Sequence, residues 1–220
     1  MVENMLVEWL RFYRDLGVDS LYVPVKALEK DDSVSLETLH KRIQNCTKCP
    51  LHLERRHTVP GEGASHPHIL FVGEGPGEQE DREGRPFVGK AGQLLDRLIQ
   101  RMGYSRETVF IGNIVKCRPP GNRDPNDDEV RSCLPYLQQQ IAVLSPRVIV
   151  CLGRVAVNRL MGLDDPISRL RGRVFSFRGI PLVPTYHPSF ILHQRGKEAV
   201  SRAKWAVWTD MQEVLKILKS

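Results

Sequence analysis

One stretch limits what this chain can fold into: His68-Ile-Leu-Phe-Val-Gly-Glu-Gly-Pro-Gly-Glu-Gln-Glu-Asp81, followed by Gly84-Arg-Pro-Phe-Val-Gly-Lys-Ala-Gly92. Ile69 to Val72 is a short apolar run of strand formers bounded by turn residues, which predicts a buried strand. Glycines 73, 75 and 77 let the backbone turn sharply and approach a ligand closely, and Pro76 stiffens the turn. Glu74, Glu80 and Asp81 therefore emerge at the carboxyl end of a strand, where open α/β sheets bind their ligands. After Gly89, the spacing of Leu94, Leu95, Leu98, Ile99 and Met102 predicts a helix.

Two nucleotide motifs almost fit this stretch. A dinucleotide fingerprint needs a third glycine where Glu78 stands. Gly84 to Lys90 matches G-x-x-x-x-G-K, but Ala91 replaces the hydroxyl residue that would bind magnesium, and no strand leads directly into the loop. A nucleotide-hydrolysing enzyme built on Lys90 is thus the weaker alternative.

Length and charge narrow the class. A chain of 220 residues suits one domain, with room for an appendage. Its longest apolar run, Val148 to Leu152, is too short to span a bilayer, so no membrane role is expected. The first residues carry Glu3 and Glu8 and no long apolar core, so no secretory signal is expected and a cytoplasmic location follows. The net charge of +6 suits a polyanionic partner. Arg169, Arg171, Arg173 and Arg178 cluster, and Arg195, Lys197, Arg202 and Lys204 follow the segment Tyr186-His-Pro-Ser189.

Residues 1–34 read as an amino-terminal appendage, with Leu6, Trp9, Leu10, Tyr13 and Leu16 at helical spacing. Docking on the body of the domain is the expected role of that helix; recruiting a partner protein is the alternative. A helix start is predicted at Ser33 or Ser35. Val109 to Val115 and Arg147 to Leu152 predict two more strands, and Asn126 to Leu144 a helix capped by Asn126 or Asp127. Val174 to Val183 predicts a hairpin turning at Arg178-Gly179 and leading to His187, and the chain closes on a helix from Gly196. Alternating strands and helices predict an α/β domain, residues 35–220, with a mainly parallel sheet. Glu74, Asn113 and His187 then share one sheet edge and can face one pocket.

Cys46-Thr-Lys-Cys49, Cys117 and Cys133 supply four thiols. In a cytosolic chain the C-x-x-C pair argues for metal or redox chemistry over structural disulfides. Proline follows Cys49, Cys117 and Cys133 within two residues, which predicts breaks that free the sulfurs to converge. Four cysteines suit zinc or an iron–sulfur cluster, and the open spacing of the second pair favours the cluster. Cys151, inside an apolar run, is expected to be a buried structural thiol.

Together, Gly73-Glu-Gly-Pro-Gly77, Gly84-Arg-Pro-Phe-Val-Gly-Lys-Ala-Gly92, Asn113-Ile-Val-Lys-Cys-Arg-Pro-Pro120 and His187-Pro-Ser189 resemble the family 4 uracil-DNA glycosylases, over residues 40–218. The resemblance implies a three-layer α/β/α fold with a central four-stranded, mainly parallel sheet, and a 4Fe–4S cluster on Cys46, Cys49, Cys117 and Cys133. It implies a nucleoid-associated monomer that excises uracil from single- or double-stranded DNA in base-excision repair, with a repair or replication protein as the partner residues 1–34 would recruit; a non-catalytic cluster-bearing DNA-binding module is the other reading. Under it, Glu74 and His187 are catalytic: His187 faces charge developing on uracil O2, and Glu74 positions water or answers positive charge on the sugar. Gly73, Gly75, Phe87 and Asn113 hold the base, Phe87 by stacking and Asn113 by reading O4 and N3. Glu80 is the candidate for refusing thymine, and Ser189 and Arg195 for holding phosphates.

Overall fold

The computed structural model describes residues 35–219. The appendage and its expected helix lie outside the described residues. Ser35 caps the first helix, α1 (Leu36–Gln44), accepting from the Thr38 N–H. A six-stranded sheet forms the middle layer: β1 (Glu62–Gly63), β2 (Ile69–Gly73), β3 (Phe110–Asn113), β4 (Val148–Leu152), β5 (Phe175–Phe177) and β6 (Ile180–Thr185), in the order β1-β3-β2-β4-β6-β5. Its four inner strands are parallel and the two edge pairs antiparallel.

The expected four-stranded sheet is therefore the parallel core of a wider one. Strand β1 is only two residues long, too short to show any alternation. Strand β5 is the outer arm of the predicted hairpin, whose turn places Arg178 and Gly179 at φ 51 and 86. The inner strands β2 and β4 are buried along their whole length, the pattern of a sheet covered on both faces.

Two helical layers supply that cover. Helices α2 (Glu78–Glu83) and α3 (Lys90–Arg101) follow β2, and α4 (Asp127–Leu144) follows β3. Helices α5 (Arg154–Met161) and α6 (Ile167–Leu170) follow β4; α7 (Pro188–Leu192) and α8 (Lys197–Lys219) follow β6. Alternate residues of each strand feed opposite cores. Leu70, Val72, Ile149 and Leu182 pack with Ile43, Leu137, Ile141 and Val157 of α1, α4 and α5. Ile69, Phe71, Val148, Val150 and Val183 pack with Leu95, Ile99, Met211 and Val214 of α3 and α8. Each such side chain contributes about 1.5–3 kcal/mol on burial, enough in number to outweigh the two thin edges.

Of the two predicted caps, Asn126 is the one that caps α4, and it forms a capping box with Glu129. One expectation fails in this helix: Pro135 does not break it, and Cys133 is presented from a continuous turn. Pro135 is exposed, so its ring faces solvent, and the packing of an 18-residue helix outweighs the single hydrogen bond it removes. Strand β3 is also shorter than Val109 to Val115. Beyond it, the Ile114 and Val115 N–H groups donate to Gly73 O (2.9 Å) and Glu74 O (3.1 Å), which locks the ends of β2 and β3 together.

Candidate active site

Register brings the site together. Gly73 pairs with Asn113 across β2 and β3, and Leu152 with Thr185 across β4 and β6. Glu74, Asn113 and His187 thus line one cleft of about 620 Å³ outside the carboxyl ends of the parallel strands, with Phe87 and Glu80 on its wall.

Gly73, Phe87 and Asn113 meet at the cleft wall. A Cβ on Gly73 would stand 2.6 Å from Phe87 Cζ and would also collide with Asn113 Oδ1, so only glycine leaves this space open. Asn113 is 1% exposed, and its Oδ1 has no hydrogen-bond partner among the described residues. Leaving such an acceptor unpaired costs about 1–3 kcal/mol, which a ligand N–H reaching it would recover. The Phe87 ring lies 5.6 Å from the His187 ring at 36°. Its backbone is left-handed, at φ 51, a conformation that costs an aromatic residue about 1–3 kcal/mol. Glu80 Oε1 accepts from the Val88 (2.8 Å) and Gly89 (2.9 Å) N–H groups and so fixes the loop that carries Phe87. The carboxylate expected to refuse thymine is therefore engaged in holding the loop of Phe87.

His187 caps α7 and its Nδ1 accepts from the Ser189 N–H at 3.2 Å, with Ser189 Oγ 2.7 Å away. A backbone N–H can only donate, so Nδ1 carries no proton and the neutral ring is protonated on Nε2. Burial pushes the His187 pKa down to about 4, against the opposing pull of Glu80. A neutral Nε2–H donor is the result. Ser189, expected on phosphate, is thus turned toward His187, while Arg195 is exposed beyond α7 and outside the cleft wall.

Glu74 behaves differently. Burial and the nearby Asp124 carboxylate raise its pKa to about 7, with Arg154 acting the other way. Arg154 and Asp124 pair at 2.8 Å on the rim, and both line the cleft. Sequence reading passed over this pair because its members are thirty positions apart, on a loop and on α5. Arg171, one of the clustered arginines, is committed elsewhere: it pairs with the buried Asp210 at 3.0 Å, which also accepts from Thr185 at the end of β6.

Cys46, Cys49, Cys117 and Cys133 line one small pocket, together with Ile43, Lys116 and Tyr136. Among the described residues, no trio of Cys, His, Asp or Glu is gathered tightly enough for a single ion. Cys117 Sγ accepts from Arg55 Nη1, and Cys133 Sγ from the Lys116 N–H, each at 3.2 Å. Burial raises the thiols of Cys49 and Cys117, and that of Cys133 to about 12, so they would give up their protons only to a metal. Cys151 lies apart, fully buried in β4.

Residues 60–212 match the family profile described as the uracil DNA glycosylase superfamily. The chain belongs to that superfamily. Within it, the chain is 47% identical to the type-4 uracil-DNA glycosylase of Pyrobaculum aerophilum over 169 residues, covering 73% of this chain and 86% of the relative. The type-4 enzymes of Thermotoga maritima and Sulfurisphaera tokodaii are each 46% identical, over 74% and 72% of this chain and 86% and 76% of their own. The superfamily's type-4 branch is therefore where this sequence stands. The near-fit nucleotide loop has a different role in this fold: Gly84 caps the end of α2 and Gly89 caps the start of α3, with no strand between them.

Proposed function

We infer that the chain is a uracil-DNA glycosylase that hydrolyses the N-glycosidic bond of deoxyuridine flipped out of DNA, the opening step of base-excision repair. One observation carries this reading: the orphaned Asn113 Oδ1 beside the Phe87 ring and the His187 imidazole. Uracil offers an N3–H to that oxygen and O4 to the amide nitrogen of Asn113, whereas cytosine reverses both groups. Phe87 supplies a stacking face, and Glu80, through the loop it holds, the wall against which a C5 methyl would be tested.

The chemistry follows from the two titrating groups. As the bond between C1′ and N1 breaks, its electron pair passes to uracil and charge gathers on O2. The Nε2–H of His187 donates to that oxygen, and a neutral donor needs no proton transfer to do so. The sugar becomes cationic, and an ionised Glu74 answers that charge or orients the water that adds to C1′. Arg195, exposed beyond α7, would hold a flanking phosphate of single- or double-stranded DNA. One monomer suffices for every step.

Cys46, Cys49, Cys117 and Cys133 would hold a 4Fe–4S cluster. Supporting this are the all-thiol donor set lining one pocket and the two N–H groups aimed at sulfur. Such a cluster, when bound, would cross-link the segment after α1 to β3 and α4.

The test is direct. Duplex and single-stranded oligonucleotides carrying a single uracil are incubated with the protein, and the abasic site is then cleaved. Strand scission at uracil but not at cytosine or thymine is expected. DNA binding without scission would leave a cluster-bearing binding module instead.

A further inference from the structure

Phe87 holds a left-handed backbone that an aromatic residue avoids, so neighbouring groups must keep it there. Glu80 grips the loop through two N–H groups after Phe87. The carbonyls on the other side are gripped by Arg106, a residue that no motif singles out. Its Nη1 donates to Phe87 O at 3.1 Å and its Nη2 to Pro86 O at 2.6 Å. The guanidinium is fixed in turn: Nε and Nη2 donate to Glu62 Oε1 at 2.8 and 2.6 Å, and Nη1 to Asp96 Oδ1 at 2.7 Å. All five of its N–H groups are used, and its side chain is 17% exposed, so this is no solvated surface charge.

Each anchor comes from a different element. Glu62 sits on the edge strand β1 and Asp96 on α3, whose backbone at Gly92 runs so close to Phe87 that a Cβ there would overlap the Phe87 carbonyl. None of Arg106, Glu62 and Asp96 lines the cleft. They can act on a bound base only through Phe87.

We propose that Arg106 is a positioning residue for base recognition, clamping the Pro86 and Phe87 carbonyls so that the Phe87 ring is held ready to stack on the flipped base. This rests on the uracil reading of the cleft. Lysine keeps the charge but lacks the planar fork, so Arg106→Lys separates a positioning role from a general need for a cation. The variant should fold, by circular dichroism, and should bind abasic-site DNA as the parent does. Free uracil should inhibit it about tenfold less well, and single-turnover excision should slow by about the same factor.

The deciding measurement is a double-mutant cycle with Phe87→Ala. Once the ring is gone, adding Arg106→Lys should change the excision rate by less than about twofold. Losses that multiply, or uracil inhibition equal to the parent's, would overturn the assignment. Should Arg106→Lys fail to fold, Asp96→Asn frees one anchor while keeping the guanidinium, and the same cycle with Phe87→Ala decides. A parent protein that releases no uracil would refute the proposed activity; an active parent with a multiplicative cycle would refute only the role of Arg106.

Discussion

The Ser189 N–H donates to Nδ1 of His187 at 3.2 Å, and this one bond decides which end of the imidazole faces the cleft with a proton. Helix α7 begins at this residue pair, so the start of the helix and the tautomer are set together. His187→Ala should lower single-turnover excision by about 10²–10³, the usual loss on removing one preorganised donor to a developing oxyanion. Affinity for uracil-containing DNA should change little, because charge on O2 appears chiefly in the transition state. Ser189→Ala keeps the N–H and loses only the hydroxyl, so its loss should be much smaller. A His187→Ala protein that binds poorly but reacts normally once bound would make His187 a positioning residue.

Glu74 should set the pH dependence. Excision needs its carboxylate, so the single-turnover rate should climb through about pH 7 and then level off. His187, with a pKa of about 4, stays neutral across that limb. Glu74→Gln should be slow at every pH and lose the limb. A profile still rising through pH 7 in Glu74→Gln would assign the ionisation to another group.

The same carboxyl predicts a stability effect of known sign. Its folded pKa, about 7, lies above the unfolded value of 4.5, so the native state holds the extra proton between these values. The stability tied to that proton is full below pH 4.5 and is lost as the pH rises through 7. Glu74→Gln should therefore raise the thermal midpoint at pH 8, with the gain shrinking toward pH 4.5. Calorimetry at the two pH values checks this, and an equal gain at both would point to packing instead of charge.

Base choice should follow the Asn113 amide. Asn113→Asp replaces the donor toward O4 with an acceptor, which should slow uracil excision by about tenfold or more and open the pocket to cytosine, whose N4 amine can donate to it. Paired substrates carrying uracil or cytosine at one position measure the ratio. Unchanged uracil excision in a folded variant would remove Asn113 from the base site.

The thiol set should reveal itself in colour. Protein purified without air should absorb broadly in the visible range and carry about four irons per chain. Cys133→Ser should lose iron and folded protein together, whereas Cys151→Ala, altering a thiol buried elsewhere in β4, should keep its iron. Stoichiometric zinc in colourless protein would sink the cluster assignment.

Much of this molecule is legible in its sequence, for local reasons. Ile69 to Val72 and Val148 to Leu152 are apolar runs bounded by turn residues, Asn126-Asp127 marks a helix start, and Arg178-Gly179 marks a hairpin turn. Strand ends in a parallel sheet share an edge, so the positions of Glu74, Asn113 and His187 at strand ends are enough to bring them to one cleft. Other features have no local signal. The two-residue β1 exists only because β3 is there to pair with it, and Pro135 is tolerated only because α4 is packed along its length. The proton on His187, the raised pKa of Glu74 and the grip of Arg106 on Phe87 depend on which groups end up within a few ångströms. Arg154 meets Asp124 across thirty positions and Arg106 meets Glu62 across forty-four. Charge and hydrogen bonding act over distance in space, and only the folded chain decides which residues stand that close.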